Sequence, residues 1–217
     1  MRNTTLSVAA WLLCLTLVLT LAGCQWAARA YERQNGKAVT AVYTGLLDKS
    51  VAIVVYADDA TTFQYPECRE EISAFVAARF RGNVPNIRLL SHKDVINWQN
   101  ETLNWQALQV KDIGKHFSVD RVLYIELNEF ASREPDSDML LRGRIKASCQ
   151  VFEVDIPGNQ PSWREEIAVY FPDNGPLDAT QSSELVVRKR ALEMFSENLV
   201  NRFYDHRELE KSIKEKM

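Results

Sequence analysis

Glycine is too sparse and too scattered in this chain to build a phosphate-binding loop. Its eight glycines form neither G-x-G-x-x-G nor G-x-x-x-x-G-K, so the common nucleotide cradles, in which backbone N–H groups close on a phosphate, are excluded. No G-x-S-x-G elbow exists to expose a strained serine. Histidine is just as thin. His92, His116 and His206 lie far apart without H-x-x-x-H or H-E pairing, and no zinc site or other metal site follows. Basic excess is also missing. The net charge of −3 gives no electrostatic reason to expect nucleic acid, which favours a basic surface. There is no C-x-x-C redox pair, no internal repeat and no low-complexity tract. The sequence therefore names no catalytic residue and no cofactor.

What the chain does have is a strong start. An early base, Arg2, precedes the apolar run from Leu6 to Leu21, and the run closes on small residues. This is the three-part grammar of a secretory signal. It ends in Leu21-Ala22-Gly23-Cys24, a lipobox: Ala22 and Gly23 let a peptidase reach the backbone, and the Cys24 thiol takes a diacylglyceryl group. The competing reading is an uncleaved span, but Val8–Gly23 is short for one and lacks flanking charge at its far end. Cleavage leaves 194 residues beginning at a lipidated Cys24, with a net charge of −4 because Arg2 is the only charge removed. Two or three acyl chains anchor stably where one does not. Gln25 in place of Asp after the cysteine directs sorting to an outer membrane in a diderm bacterium, with the domain facing the periplasm.

Of the four cysteines, Cys14 is discarded with the signal and Cys24 is lipidated. Cys68 and Cys149 remain in the folded part. Two readings fit them: a disulfide in an oxidising compartment, or two separate buried thiols.

The mature chain divides into residues 24–48, a lipidated N-terminus and linker; residues 49–206, one domain; and residues 207–217, a charged and frayed tail. Within the linker, 25–38 reads as a tether and 39–47 as an extended segment lying on the domain. Val51–Tyr56 is an unbroken, β-branched-rich run that fits a strand buried on both faces. A polar loop over 58–62 follows, then a helix starting at Pro66-Glu67 with an apolar stripe through Cys68, Ile72, Phe75, Val76 and Phe80. Next come a strand over 87–91, a short helical stretch around 93–98, helical turns over 104–117 and a strand over 122–130. Alternating strands and helices predict parallel neighbours. After a polar loop the grammar changes to two strands, 141–154 and 163–171, in clear two-residue alternation. A helix from about 182 to 206 closes the chain. The expected fold is α/β with α+β character in its second half, a three-layer βαβαβββα domain with a mixed sheet.

Several clusters admit a site. Asp58 and Asp59 follow the carboxyl end of the first strand, where open α/β sheets place ligands; together with Asp120 they form a candidate site for a cation or small ligand. The plain reading is a solvated turn. Arg142, Arg144 and Lys146 line one strand face and suit an acidic partner, unless Glu126, Glu165 or Glu166 neutralise them across strands. Trp98 and Trp105 are either a recognition patch or core anchors on one helical face.

The residues also carry a resemblance. Lys49-Ser50 followed by Val51-Ala52-Ile53-Val54-Val55, and Ile113-Gly114 ahead of Val119-Asp120-Arg121-Val122-Leu123-Tyr124, are similar to the opening strand and the helix-to-strand junction of a group of bacterial envelope lipoproteins. The group includes the curli-secretion channel lipoprotein, lipoprotein activators of penicillin-binding proteins, and the N-terminal domain of the Tol-system β-propeller protein. The resemblance covers residues 49–206. It implies a non-enzymatic protein that binds an envelope partner or self-assembles. The chain lacks room for the long inserts of the curli channel, so a large pore is not implied. The alternative is a small-ligand or cation binder, including a hydrolase, with its site at strand ends.

Overall fold

The computed structural model describes residues 36–208. It contains two compact units, one of them running from Ala41 to Tyr204. The other holds a two-stranded antiparallel sheet in which β1 (Lys37–Val39) pairs with β8 (His206–Glu208), Lys37 opposite Glu208 and Val39 opposite His206. The signal segment, the lipobox and the last nine residues lie outside the described residues.

In the larger unit, β2 (Ser50–Tyr56) is followed by α1 (Asp59–Gln64) and α2 (Cys68–Asn83), and then by β3 (Arg88–Leu89) and α3 (His92–Glu101). A single 3₁₀ turn at Trp105–Ala107 leads to α4 (Val110–His116). Then come β4 (Arg121–Arg133), β5 (Leu140–Glu153), β6 (Trp163–Phe171), β7 (Leu177–Asp178) and α5 (Glu184–Val200). The sheet order is β3-β2-β4-β5-β6, with β7 beside the start of β5. β2 runs parallel to both β3 and β4, whereas β4, β5 and β6 are antiparallel. The mixed α/β sheet expected from the sequence is present.

Five consecutive residues of β2, Val51 to Val55, are at most 3 % exposed. That is possible because the pleat sends alternate side chains to opposite faces and both faces are covered. Val51, Ile53 and Val55 join the main core with α2 and α5, where Phe80, Phe195 and Phe203 are fully buried. Ala52 and Val54 join a second, smaller core with Val95, Trp105 and Ile113 from the α3–α4 side. Three layers therefore enclose β2 and β4. Across β6 and most of β5 only the α5 side is covered; at the end of β5, Gln150 and Phe152 on the other face are buried as well. On the α5 side Leu141, Ile145, Ala147 and Cys149 are buried along β5, and Ile167 and Val169 along β6.

The exposed edge of β2 is finished by a side chain. β3 pairs with only Ser50 and Val51. Further along, the buried Gln99 amide on α3 donates to the Val55 carbonyl at 3.0 Å, satisfying an acceptor that a longer strand would have paired.

Several expectations need correction. The polar stretch after β2 is not a loop. Asp58 is the N-cap of α1, its carboxylate accepting from Thr61 N at 2.7 Å; an Asx turn and a helix N-cap begin with the same hydrogen bond, so local sequence does not separate them. The following helix begins at Cys68, after Pro66. The last helix ends at Val200, not 206. Arg202 N and Phe203 N close i−3 turns, and the Arg202 carbonyl accepts from Val42 N and Tyr43 N. Phe203, four residues past Leu199, mimics a continuing helical stripe while being folded back into the core. The larger unit includes residues 41–48, with Leu46 fully buried in its core. Lys37–Val39, spanning the end of the expected tether and the start of the extended segment, and His206–Glu208, spanning the expected helix end and the start of the tail, are paired strands; three-residue strands are too short to leave a periodicity.

At Gly143 the sheet lies close against α5. A Cβ there would meet the Ala191 Cβ at 2.6 Å and the Val187 carbonyl at 3.0 Å. Gly143→Val is expected to cost about 2–3 kcal/mol through overpacking, seen as a lowered thermal midpoint. Gly82, on α2, has nothing within 4 Å of its Cβ position; Gly82→Ala gains up to about 1 kcal/mol. Equal effects of the two substitutions would contradict this packing.

Candidate functional site

The three candidate acids do not form one site. β2 and β4 are parallel, with Val51 opposite Arg121 and Tyr56 opposite Glu126. Asp58 lies just beyond the carboxyl end of β2, and Asp120 just before the amino end of β4. About 20 Å of strand separates them, at roughly 3.3 Å per residue.

Each acid is also committed locally. Asp58 caps α1, and the hydrogen bonds from Thr61 hold its carboxyl below the ordinary range. Asp59 is an exposed first-turn acid of that helix, where the helix dipole favours it. Asp120 accepts from Ser50 N at 2.8 Å and from Ser50 Oγ at 2.7 Å, while Asp120 N donates back to Ser50 Oγ at 2.8 Å. These Ser50 bonds pull its carboxyl down, helped by Lys49 and Arg88. The exchange ties the starts of the two parallel strands together.

Beside Asp120, Arg121 fills a largely buried position between Glu153 at 2.7 Å and Asp155 at 2.8 Å. Tyr43 donates to Glu153 at 2.9 Å. Burial first, and then the Glu153 carboxylate, push the Tyr43 phenol up to about 12. This network closes the lower end of the main core with paired charge.

A concavity does exist at the opposite end, where ligands of open α/β sheets bind. A cleft of about 480 Å³ lies between α1 and the β4–β5 hairpin, lined by Gln64, Tyr65, Arg133, Glu134, Asp138 and Arg144 among others. A smaller hollow of about 160 Å³ adjoins it at Glu67, Glu71 and Arg188. The Tyr65 hydroxyl accepts from Ser132 N at 3.2 Å, and its ring packs edge-on against Phe130 at 5.2 Å. The cations here are spent inside the chain. Arg133 pairs with Glu184 at 2.8 Å and also donates to the Asp138 carbonyl. Arg144 is held between Glu129 at 2.5 Å and Glu134 at 2.8 Å. Such a cleft accommodates a small polar molecule. The sequence reading missed it because its walls come from segments some seventy residues apart; the charge cluster Arg133-Glu134-Pro135-Asp136 was the available signal.

The basic row is neutralised, though mostly not by the acids named for it. Arg142 pairs with Glu134 at 3.4 Å and lies over the Tyr170 ring at 5.4 Å. Lys146 reaches Glu166 at 3.8 Å. Glu165 faces the other way and binds Arg202 at 2.9 Å. Two bulges in β4, at Leu127/Glu129 and Ala131/Arg133, re-aim its side chains and bring Glu129 opposite Lys146, a register that sequence alternation does not show. Trp98 and Trp105 stand on different elements, and their rings meet at 6.3 Å with Trp105 buried in the smaller core. Core anchoring is the outcome, without the shared helical face. Among the described residues no group of three or more His, Cys, Asp or Glu is placed to hold a metal ion.

Cys68 and Cys149 are free thiols in the same core, both fully buried, so the disulfide reading gives way to buried thiols. Burial pushes the Cys68 thiol up to about 11 and that of Cys149 higher still. Cys24, with Leu21, Ala22 and Gly23, lies outside the described residues.

No family model matches the chain, and no curated protein matches it. Among solved structures it is similar to the lipoprotein GNA1162 from Neisseria meningitidis, at 14% identity over 70% of this chain and 96% of that one, with a TM-score of 0.42. It is also similar to a PelC dodecamer from Paraburkholderia phytofirmans, at 9% identity over 77% and 97% of the two chains, TM-score 0.45. A minor lipoprotein from Acinetobacter baumannii matches at 7% identity over 75% and 99%, TM-score 0.38.

Two outcomes check the local chemistry. Differential alkylation with peptide mass readout is expected to leave Cys68 and Cys149 unmodified in the folded protein at pH 8, because a raised thiol pKa leaves little thiolate. Both become modified in denaturant without reductant, which a disulfide would prevent. Asp120→Asn is expected to cost about 1 kcal/mol at neutral pH, a modest figure because the carboxylate is partly exposed. A carboxyl held below its unfolded value contributes stability above that value and loses it as pH falls through the folded one. The variant and parent should therefore converge in denaturant midpoint as the solution is acidified below the ordinary Asp range.

Proposed function

We propose that this chain is a lipid-anchored envelope lipoprotein, held by a diacylated Cys24 on the outer membrane of a diderm bacterium with its domain in the periplasm. The domain acts there as a non-enzymatic accessory that binds an envelope protein. One observation carries the reading: Leu21-Ala22-Gly23-Cys24 closes an N-terminal apolar run preceded by a base. The state of the domain's polar groups supports it. The acids best placed for chemistry are consumed as caps and strand ties, and the cleft arginines are held by the chain's own carboxylates. The finer kinship with curli-secretion, penicillin-binding-protein-activator and Tol-propeller lipoproteins belongs to this same proposal.

The anchor is tested first. The full chain, expressed in a diderm bacterium, should incorporate labelled palmitate and lose residues 1–23. Cys24→Ser should abolish both; continued processing at residue 24 and partition into lipid by that variant would sink the reading. The partner is tested by crosslinked affinity capture from envelopes, in which a specific protein should be enriched over capture by an unrelated lipoprotein.

A second reading draws on the 480 Å³ cleft: a small-ligand or cation-binding envelope protein, or a hydrolase, with its site at this end of the sheet but between α1 and the β4–β5 hairpin, since neither Asp58 nor Asp59 lines the cleft. Thermal-shift screening against nucleotides, sugars and divalent ions discriminates the two. A shift that disappears in a Gln64→Ala, Glu134→Ala double variant, both residues lining the cleft, would favour this reading over protein docking.

A further inference from the structure

The two edges of the large sheet are treated differently. Past Val51 the β2 edge has no strand beside it, and the Gln99 amide occupies the Val55 carbonyl. The β6 edge has no such cover: among the described residues, only β5 is hydrogen-bonded to it as a strand. β6 keeps an unbroken nine-residue register with β5, from Val151 opposite Trp163 to Gly143 opposite Phe171. It contains no proline, glycine or bulge, and of the devices by which natural sheets blunt an edge it keeps only charge: Arg164, Glu165 and Glu166, with both acids already paired inside the chain. A row of edge N–H and C=O groups of this length, with no neighbouring strand among the described residues, is a template for another strand.

We propose that β6 pairs with β6 of a second copy of this chain, antiparallel about a two-fold axis at Ile167, so that two sheets become one. The strand's own charge pattern selects this occupant and this register. An axis at Glu165 or Glu166 would set two acids against each other, and like charges directly opposite are destabilising. An axis at Ile167 overlaps all nine residues and opposes no like charges. Arg164 meets the Tyr170 ring of the second copy, Glu166 meets Ala168 and Glu165 meets Val169. Each acid also brings its own cation to the seam, Glu166 with Lys146 at 3.8 Å and Glu165 with Arg202 at 2.9 Å. On the covered face, Ile167 and Val169, each 3 % exposed, continue the apolar row from one copy to the next. Such an interface is isologous, the same surface on both sides, and closes at two. It stands independently of what the domain docks and of how the chain is anchored.

The test uses a charge reversal at Ala168, which is exposed and sits opposite Lys146 in its own chain. In the paired dimer it faces Glu166 of the second copy. Sedimentation equilibrium of the full chain, with detergent micelles in excess, should show a reversible dimer. Ala168→Glu places two pairs of like charges across the seam and should weaken the dimer about tenfold. Ala168→Lys places opposite charges there and should leave the dimer as tight or tighter. Circular dichroism melts should show both variants folded. As a geometric check, copies carrying Glu166→Cys and copies carrying Ala168→Cys should oxidise to a mixed disulfide dimer, while Ala168→Cys alone should not cross-link. A chain that stays monomeric overturns the proposal. So does equal weakening by both charges, no weakening by either, or cross-linking of these cysteines to a different protein.

Discussion

A sheet covered on both faces at β2 and β4 but on only one face along β6 and most of β5 is the constraint from which the rest of the molecule follows. Double coverage requires β2 to be apolar along its whole length, and it is. It also requires helices of two kinds. α2 and α5 pack on one side around Phe80, Phe195 and Phe203, and α3 and α4 on the other around Val95, Trp105 and Ile113. Single coverage allows β5 and β6 to alternate, because one row must be apolar while the other can be wet.

The wet face then has to manage its charge. Arg142, Arg144 and Lys146 stand in one row, and three acids at 2.5–3.8 Å hold them. Exposed or half-exposed pairs of this kind add little stability. What they do is leave the face near neutrality with its cations occupied, a poor surface for polyanions. The Arg121 cluster differs. It is buried at 7 % side-chain exposure against Glu153 at 17 %, and removing one partner of such a pair leaves an uncompensated charge. Arg121 thus fixes the lower end of the core, as the Ser50–Asp120 exchange fixes the register of the parallel pair beside it.

The proposed lipid anchor and the proposed docking role fit together physically. Asp58 and Asp120 serve as a helix cap and a strand tie, and Cys68 and Cys149 are buried in the core. What the domain offers is shape: a polar cleft at one end of the sheet and a regular, uncovered strand along one side. Tethering to a bilayer raises the local concentration of any surface that pairs weakly, so modest interfaces suffice for an anchored protein.

By itself the sequence determined what depends on neighbours along the chain. The signal grammar ending at Cys24 is purely local. Side-chain direction along Leu141–Val151 and Ile167–Phe171 was legible because a strand's pleat repeats every two residues, and the double burial of Val51–Val55 because an unbroken apolar run has no other economical place. Only the tertiary structure decided what depends on partners distant in sequence. It set Asp58 and Asp120 at opposite ends of the sheet, since parallel strands start together and finish together. It matched Arg144 to Glu129 and Glu134 through bulges that alternation does not announce, and joined Lys37–Val39 to His206–Glu208 across the length of the chain. Periodicity states which way a residue points; which residue it meets is settled by the packing of segments that the chain itself keeps far apart.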